Sequence, residues 1–499
     1  MLFMGIDIGT QGARTVVIDS SGNLAANKSI AFSSINAAVL PDQYEQAADD
    51  WWKAASETIS SCVNQLKDNG YLPSDILSIS VDGTSGTIVP LDHTYHPLCN
   101  AFMYNDMRAK KQAETIHLLL QSTEKKLGYR FNASFALPKI LFIRENMPEI
   151  YEKTAVFSHQ SDYIVGKLCS EYCVSDYSNA LKTGYDLIEQ RWPEGLEEAG
   201  IDSSKLPRIV APGMRIGQVA AKEARDLGLS VNTQIVAGST DGYASALAAG
   251  AVKTGDWASI IGTTLVLKGV TKNLVIDPSG SSYSHRLPDG SWMPGGASNI
   301  GGRCLNMNFN PSEFDSLGAK ADMITPTGII SYPLVGKGER FPFVDPYAEA
   351  FMIGGIPDRE THFAALMEGV GFAERFCFER MESLGCEVGP AIYTSGGACK
   401  SIPWLRIRAS ILNRRLKIPE IVDAAMGSAL LAAMHEFQTL PDAAAAMIRI
   451  KETIDPDPKK VPVYEELYRK FEQECRQRFT LGEWTTGISM NRRANNEHL

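Results

Sequence analysis

Apolar and polar residues alternate along the chain in two ways. Short apolar runs are closed by glycine-bearing turns, and longer segments place apolar residues three or four apart. Leu2–Ile8 (LFMGIDI) is an almost unbroken apolar run of strand length. Ala13–Ile18 and Leu24–Phe32 follow, after turns at Gly9-Thr10-Gln11-Gly12 and Asp19–Asn23, so the chain opens as a β-meander. Trp52, Ala55, Ile59, Val63 and Leu66 recur at helical spacing behind Asp49 and Asp50, which predicts a helix over Asp49–Leu66. Strands are predicted at Ile76–Val81 and Ile88–Leu91, and helices at Met107–Thr123, at Pro138–Asn146 and within Val156–Leu168. Ile235-Val236-Ala237 ends a strand, Gly238-Ser239-Thr240 reads as a tight turn, and Asp241 opens a small-residue helix through Ala249.

Beyond this helix the opening pattern returns. Strands Asp256–Gly262 and Leu265–Val270 meet at Thr263-Thr264, so that Ser259–Val270 repeats Gly5–Ile18 with a Gly-Thr pair at each turn. Similar units in two halves are the mark of a two-lobed protein. Helices Thr361–Leu384, Ile402–Leu412 and Ala424–Phe437 and the strand Pro390–Thr394 complete the second half. The segment Pro311–Pro357, rich in Pro and Gly, reads as an irregular surface excursion, and Arg492–Leu499 as a frayed end. The change of domain is expected near Gly250, giving lobes 1–248 and 249–485 and a polar tail 486–499.

A chain of 499 residues exceeds one compact core, in line with two or three domains. A net charge of −10 argues against nucleic acid or an acidic membrane as partner, so an anionic ligand would need backbone dipoles and a metal ion. The nine cysteines form no disulfide framework; Cys169 and Cys173 read as separate thiols, and His93 and His96 as surface residues. The first residues run straight into a strand, and no apolar run reaches the ~18–20 residues that span a bilayer. The expected location is the cytoplasm.

Four loops hold residues suited to chemistry. In Asp7-Ile8-Gly9-Thr10-Gln11-Gly12-Ala13-Arg14, glycine N–H groups and the Thr10 hydroxyl suit a phosphate, Arg14 adds charge, and Asp7 suits a magnesium ion. An ordinary hairpin accounts for the same residues. Asp241 suits either a helix N-cap or a base that accepts a hydroxyl proton. Gly262-Thr263-Thr264 offers two hydroxyls to a terminal phosphate, and Ser395-Gly396-Gly397-Ala398 lets a flat base approach the backbone. Asp82-Gly83-Thr84-Ser85 and Tyr104-Asn105-Asp106-Met107-Arg108 add polar groups for a small polyol, with a hairpin and a helix cap as their plain readings.

Taken in order, these segments closely resemble the FGGY family of carbohydrate kinases. GIDIGTQGAR is similar to that family's first phosphate loop, and EQAADDWW (Glu45–Trp52) and YNDMRA to further elements. SFALPKILFIREN (Ser134–Asn146) keeps the signature Lys139, with Ala136 and Phe142 departing from it. GSTDGYASALAAG resembles the catalytic segment, IGTT the second phosphate loop, SGGACKSIPWLRIRASIL the adenosine loop, and DAAMGSALLAA the closing helix. The resemblance runs from Gly5 to about Met434.

The resemblance implies an α/β, two-lobed, actin-like ATPase (ribonuclease H-like) fold, each lobe a mixed sheet flanked by helices. It implies ATP-dependent phosphorylation of a small sugar, with Mg2+. Asp241 is then the base; Asp7, Asp82, Ser85, Asp106, Arg108 and Asp241 face the sugar; and Asp7 and Asp241 are the metal-side carboxylates. Thr10, Gly12, Arg14, Gly262, Thr263 and Thr264 take the phosphates, and Gly396, Gly397 and Ala398 the adenosine. Lobe closure would exclude water, and a homodimer is left open. The Asp82–Ser85 loop is more similar to D-ribulose-type members than to the Gln-Met-His loop of xylulose kinases, so a ketopentose is expected. D-xylulose, L-ribulose, gluconate and glycerol stand as alternatives. An actin- or chaperone-like nucleotide switch is the competing class, and sugar-stimulated ADP release separates the two.

Overall fold

A computed structural model describes residues 1–32, 37–38 and 42–481. The predicted polar tail 486–499 and the frayed end Arg492–Leu499 therefore lie outside the described residues. The chain forms two compact units. The first comprises Met1–Ala248, His285–Ser291 and Ile421–Arg449; the second comprises Ala249–Ser284, Trp292–Glu420 and Ile450–Leu499. The division into 1–248 and 249–485 is thus interrupted by two segments that return to the first unit. One of them carries the Ala-rich helix.

In the first unit, β1 (Leu2–Ile8), β2 (Gly12–Asp19) and β3 (Leu24–Ala31) form the expected antiparallel meander. On its other side β1 pairs in parallel with β4 (Ile76–Gly83), which pairs in parallel with β5 (Gln234–Val236). β6 (Ser239–Thr240) also pairs in parallel with β4. Gly238-Ser239-Thr240 is therefore not a free turn: Ser239 lies opposite Asp82, and Thr240 opposite Gly83. This pairing continues the strand to the residue before Asp241, where the helix Asp241–Ala249 begins.

Helix Ala48–Asp68 covers the sheet with Trp51, Ala55, Ile59, Val63 and Leu66 buried. Helix Ala424–Ala433, shorter than the predicted Ala424–Phe437, also packs on this unit. A methyl group on Gly5 would overlap the Ala425 carbonyl, and one on Gly427 the Ala244 carbonyl. The small residues after Asp241 thus serve backbone-to-backbone packing against this helix. The predicted helix Met107–Thr123 is two helices, Lys110–Leu119 and Gln121–Leu127, meeting at Leu120. Val156–His159 is a strand, and the helix predicted there occupies Gln160–Cys169.

The second unit repeats the pairing scheme. β7 (Trp257–Ile261), β8 (Leu265–Gly269) and β9 (Trp292–Ser298) are antiparallel neighbours. β7 pairs in parallel with β10 (Ala391–Ser395), β10 in parallel with β11 (Arg415–Pro419), and β12 (Ile450–Ile454) closes that edge antiparallel. Both sheets thus contain the strand order 3-2-1-4-5, where each number is a strand's turn along the chain within that set. Gly9-Thr10 and Gly262-Thr263 occupy the same place, the turn between the first two strands.

The segment Pro311–Pro357 is not a surface excursion. It contains helix Phe314–Ile324 and the paired strands Ile330–Tyr332 and Phe351–Ile353. Tyr332, Phe341 and Phe343 belong to the buried core, with Tyr332 stacked on Phe471 and Phe343 on Phe479. Burial of these rings outweighs the local signal of prolines and glycines.

Candidate active site

The parallel register sets the first cluster. Asp7 and Asp82 are partners across β1 and β4, and Ser239 is the partner of Asp82 on its other side. Three strand ends therefore present Asp7, Asp82 and Asp241 together, at the carboxyl edge where α/β sheets bind ligands. Asp82 is 0 % exposed, and Ser428 Oγ donates to its Oδ2 at 2.6 Å. Burial, then the charge of Asp7, holds the Asp82 carboxyl well above the usual range. Burial and the charge of Asp241 push Asp7 up to about 6, against a hydrogen bond with Asp82 and the charge of Arg14 that lower it. Burial thus raises both carboxyls of the pair, and each one bears on the other. Asp241 Oδ1 accepts the Gly242 N–H at 2.6 Å, which aims the carboxylate at the start of its helix.

The first glycine turn closes through Gly9 N–H donating to the Gly12 carbonyl at 2.9 Å, and Gln46 Nε2 holds the Thr10 carbonyl at 2.8 Å. Arg14 pairs with Asp423 and donates to Ser29 Oγ at 2.8 Å. The Ala-rich helix segment thus brings Asp423 to Arg14 beside the first glycine turn and Ser428 to Asp82. Sequence reasoning missed both, because 409 residues of chain separate Asp423 from Arg14 and 346 separate Ser428 from Asp82.

The predicted sugar-side residues divide by burial. Ser85 Oγ is buried without a hydrogen-bond partner. Asp106 is fully buried and committed: it accepts Tyr44 N–H at 2.8 Å and both Arg108 Nε and Nη2. Arg108 also reaches Glu45 at 2.7 Å and stacks over Phe102. These two residues thus tie the Tyr104–Arg108 loop to Tyr44 and Glu45. Lys139, entirely buried, donates to the carbonyls of Gly86 at 2.8 Å and Met103 at 2.7 Å, which ties the Thr84–Thr87 loop to the Tyr104 loop.

Gly262, Thr263, Thr264, Gly396, Gly397 and Ala398 all lie in the second unit. A cavity of about 590 Å³ is lined by Gly262, Thr263, Gly397 and Ala398 together with Phe314 and Trp404. Gly396 has φ +89°, and a Cβ there would sit 2.5 Å from the Ile261 carbonyl, so only glycine permits this crossing. Gly262 and Gly397 are different: an added Cβ meets no protein atom within 4 Å, so each leaves backbone open to a ligand. Beneath these loops Arg408 forms a buried fork on Glu374 (2.7 Å for both bonds) and also donates to Thr394 Oγ1 at 2.9 Å. Ser259 Oγ donates to the same glutamate. This pair joins β7 and β10 just before the two glycine loops.

Among the described residues no group of three or more His, Cys, Asp or Glu side chains has the arrangement of a metal site, and no helix is long and apolar enough to cross a membrane.

Two sheets of the same strand order thus carry a carboxylate cluster in the first unit and a pocket between open glycine loops in the second. The N-terminal domain of the FGGY family of carbohydrate kinases matches residues 2–248, and the C-terminal domain matches residues 258–436. The chain belongs to this family and is a carbohydrate kinase. It is 28% identical over 490 residues to the xylulose kinase of Bacillus subtilis (strain 168), covering 93% of this chain and 95% of that one. It is 27% identical over 456 residues to the gluconokinase of the same strain, covering 86% of each. The crystal structure of xylulose kinase from Rhodospirillum rubrum superposes with a TM-score of 0.85 at 24% identity, covering 96% of this chain and 99% of that one.

Proposed function

We propose that this kinase transfers the terminal phosphoryl group of ATP to a hydroxyl of a ketopentose, D-ribulose or D-xylulose. The observation that carries this reading is the convergence of Asp7, Asp82 and Asp241 on neighbouring strand ends beside a loop whose Ser85 hydroxyl is buried and unpartnered. Asp241 accepts the proton of the attacking hydroxyl as the new O–P bond forms and the bond to ADP breaks. Its bond from Gly242 N–H keeps it aimed in advance. The Gly9–Gly12 and Gly262–Thr264 turns offer backbone N–H groups and threonine hydroxyls to phosphate oxygens. The pocket walled by Trp404 and Phe314 takes the adenosine.

Magnesium fits the carboxylate side. Burial and then the charge of Asp241 push the Asp7 carboxyl up to about 6, and a cation beside them would favour the ionised form. Asp7 and Asp241 would hold it directly or through water, with nucleotide phosphates completing the shell; bound there, it neutralises phosphate charge.

The reading is tested by ADP release with D-ribulose, D-xylulose, L-ribulose, L-xylulose, gluconate and glycerol. Stimulation by one or both of the two named ketopentoses above all others is expected. Stimulation by gluconate or glycerol alone reassigns the acceptor, and stimulation by none of the sugars overturns the reading.

A further inference from the structure

The loop that follows Asp82 is held by a directed chain of hydrogen bonds that ends on one amide. Tyr104 N–H donates to Thr87 Oγ1 at 3.1 Å, and the Thr87 and Thr84 hydroxyls meet at 2.6 Å. Thr84 then donates twice to Gln160 Oε1, from its N–H at 2.8 Å and from its hydroxyl at 2.7 Å. Two donors on one atom fix which end of the Gln160 amide is oxygen, since the nitrogen carries only donors. The nitrogen therefore points away from Thr84. Gln160 is 0 % exposed, and its Nε2 is buried with no partner.

Two neighbours of the chain share this condition. Ser85 Oγ, next to Thr84, and Asn105 Oδ1, next to Tyr104, are also buried and unpartnered. Buried polar atoms of native proteins are nearly always satisfied, so a group of them around one rigid loop marks where a ligand supplies the partners. Their chemistry is specific. Nε2 only donates, a carbonyl-type Oδ1 only accepts, and a serine hydroxyl does both. Adjacent oxygens of a polyhydroxylated molecule match such a set. The pairing of Thr240 with Gly83 sets Asp241 beside the same loop, so the set lies on the acceptor side of the site.

We propose that Gln160 is a specificity-determining residue, its Nε2 acting with Ser85 Oγ and Asn105 Oδ1 to hydrogen-bond neighbouring oxygens of the sugar. The inference rests on the sugar-kinase reading of this site. It adds a residue from the start of helix Gln160–Cys169, distant in sequence from both sugar-side loops. A site built to bond a hydroxyl discriminates strongly against an acceptor that cannot supply it, because its own polar groups are then left unpaired.

The test uses Gln160→Glu in the full chain. That change keeps an oxygen under Thr84 and replaces the free donor by an acceptor. KM and kcat are measured for D-ribulose and D-xylulose, with ADP affinity and thermal midpoint measured separately. The expected result is a sugar KM raised by about 10-fold or more, a changed preference between the two sugars, and unaltered ADP affinity. Gln160→Met and Asn105→Asp give independent variants if the buried glutamate prevents folding. Folded variants whose sugar KM values and sugar preference stay within about 2-fold of the parent overturn the proposal. So does an equal loss for both sugars, which a purely structural role produces. A parent enzyme that phosphorylates no sugar is a separate failure: it removes the sugar-kinase reading, and this proposal with it.

Discussion

Asp7 and Asp82 are register partners across the parallel strands β1 and β4, so their side chains leave the same face of the sheet and the charge of Asp7 raises the Asp82 carboxyl. Ser428 fixes the buried member by donating to Asp82 at 2.6 Å. Asp7 is left as the group that changes charge, near pH 6, when no cation is present.

A pH dependence follows from that value. If ionised Asp7 is required on the magnesium side, kcat/KM rises as pH passes through about 6 and flattens above it. Excess magnesium should move the midpoint down, because a cation favours the carboxylate. The stability effect has the opposite sense. The folded-state value lies above the ordinary 3.8, so Asp7 favours the folded state at low pH and that contribution is lost as pH rises through about 6. Metal-free Asp7→Asn should therefore gain thermal stability relative to the parent between pH 4 and pH 7. Paired melting curves check this, and a difference independent of pH would contradict the raised Asp7 carboxyl.

Asp241→Asn keeps the helix start and its size but removes the proton acceptor. Turnover should fall at least ~100-fold, the low end for losing a general base, while nucleotide affinity stays near that of the parent. Steady-state rates with calorimetric ADP binding separate the two effects. Near-normal turnover would remove Asp241 from the role of base.

Gly262→Ala and Gly397→Ala introduce methyl groups that meet no protein atom within 4 Å. Both variants should melt like the parent yet bind nucleotide about 10-fold more weakly, since the methyl occupies ligand space. Gly396→Ala is the contrasting case. Its φ of +89° and the Ile261 carbonyl 2.5 Å from the added carbon should lower the thermal midpoint as well. Unchanged ADP affinity in the first two variants would show that these glycines do not face the nucleotide.

Lys139→Met leaves the Gly86, Met103 and Ser134 carbonyls without their common donor. Leaving buried acceptors unsatisfied costs roughly 1–3 kcal/mol each, so a loss of about 3 kcal/mol is expected in chemical denaturation. Sugar KM should rise more than nucleotide KM, because the freed loop is the acceptor-side one. Equal effects on both would indicate a general loss of structure.

Much of the site was legible because its signals are local. A Gly-Thr pair between two apolar runs marks a turn with exposed N–H groups, and the pattern holds twice. Asp241 after a strand end marks a helix start, and its order among the other loops carried the family resemblance. Gln160, Ser428 and Asp423 had no such signal. Each contributes to the site or its bracing through one side-chain contact, made across a large sequence separation.

The sequence by itself determined the meander strands, the two-fold repetition and the glycine turns. Those features follow from period, turn chemistry and residue type within short windows. Only the tertiary structure decided that β6 extends the parallel edge of β4, which sets Asp241 beside Asp82. It also returned Ile421–Arg449 to the first unit and drew Tyr332 and Phe343 into a core with Phe471 and Phe479. Parallel pairing and ring burial depend on partners tens to hundreds of residues away, and the free energy of those contacts exceeds the local preferences that a short window records.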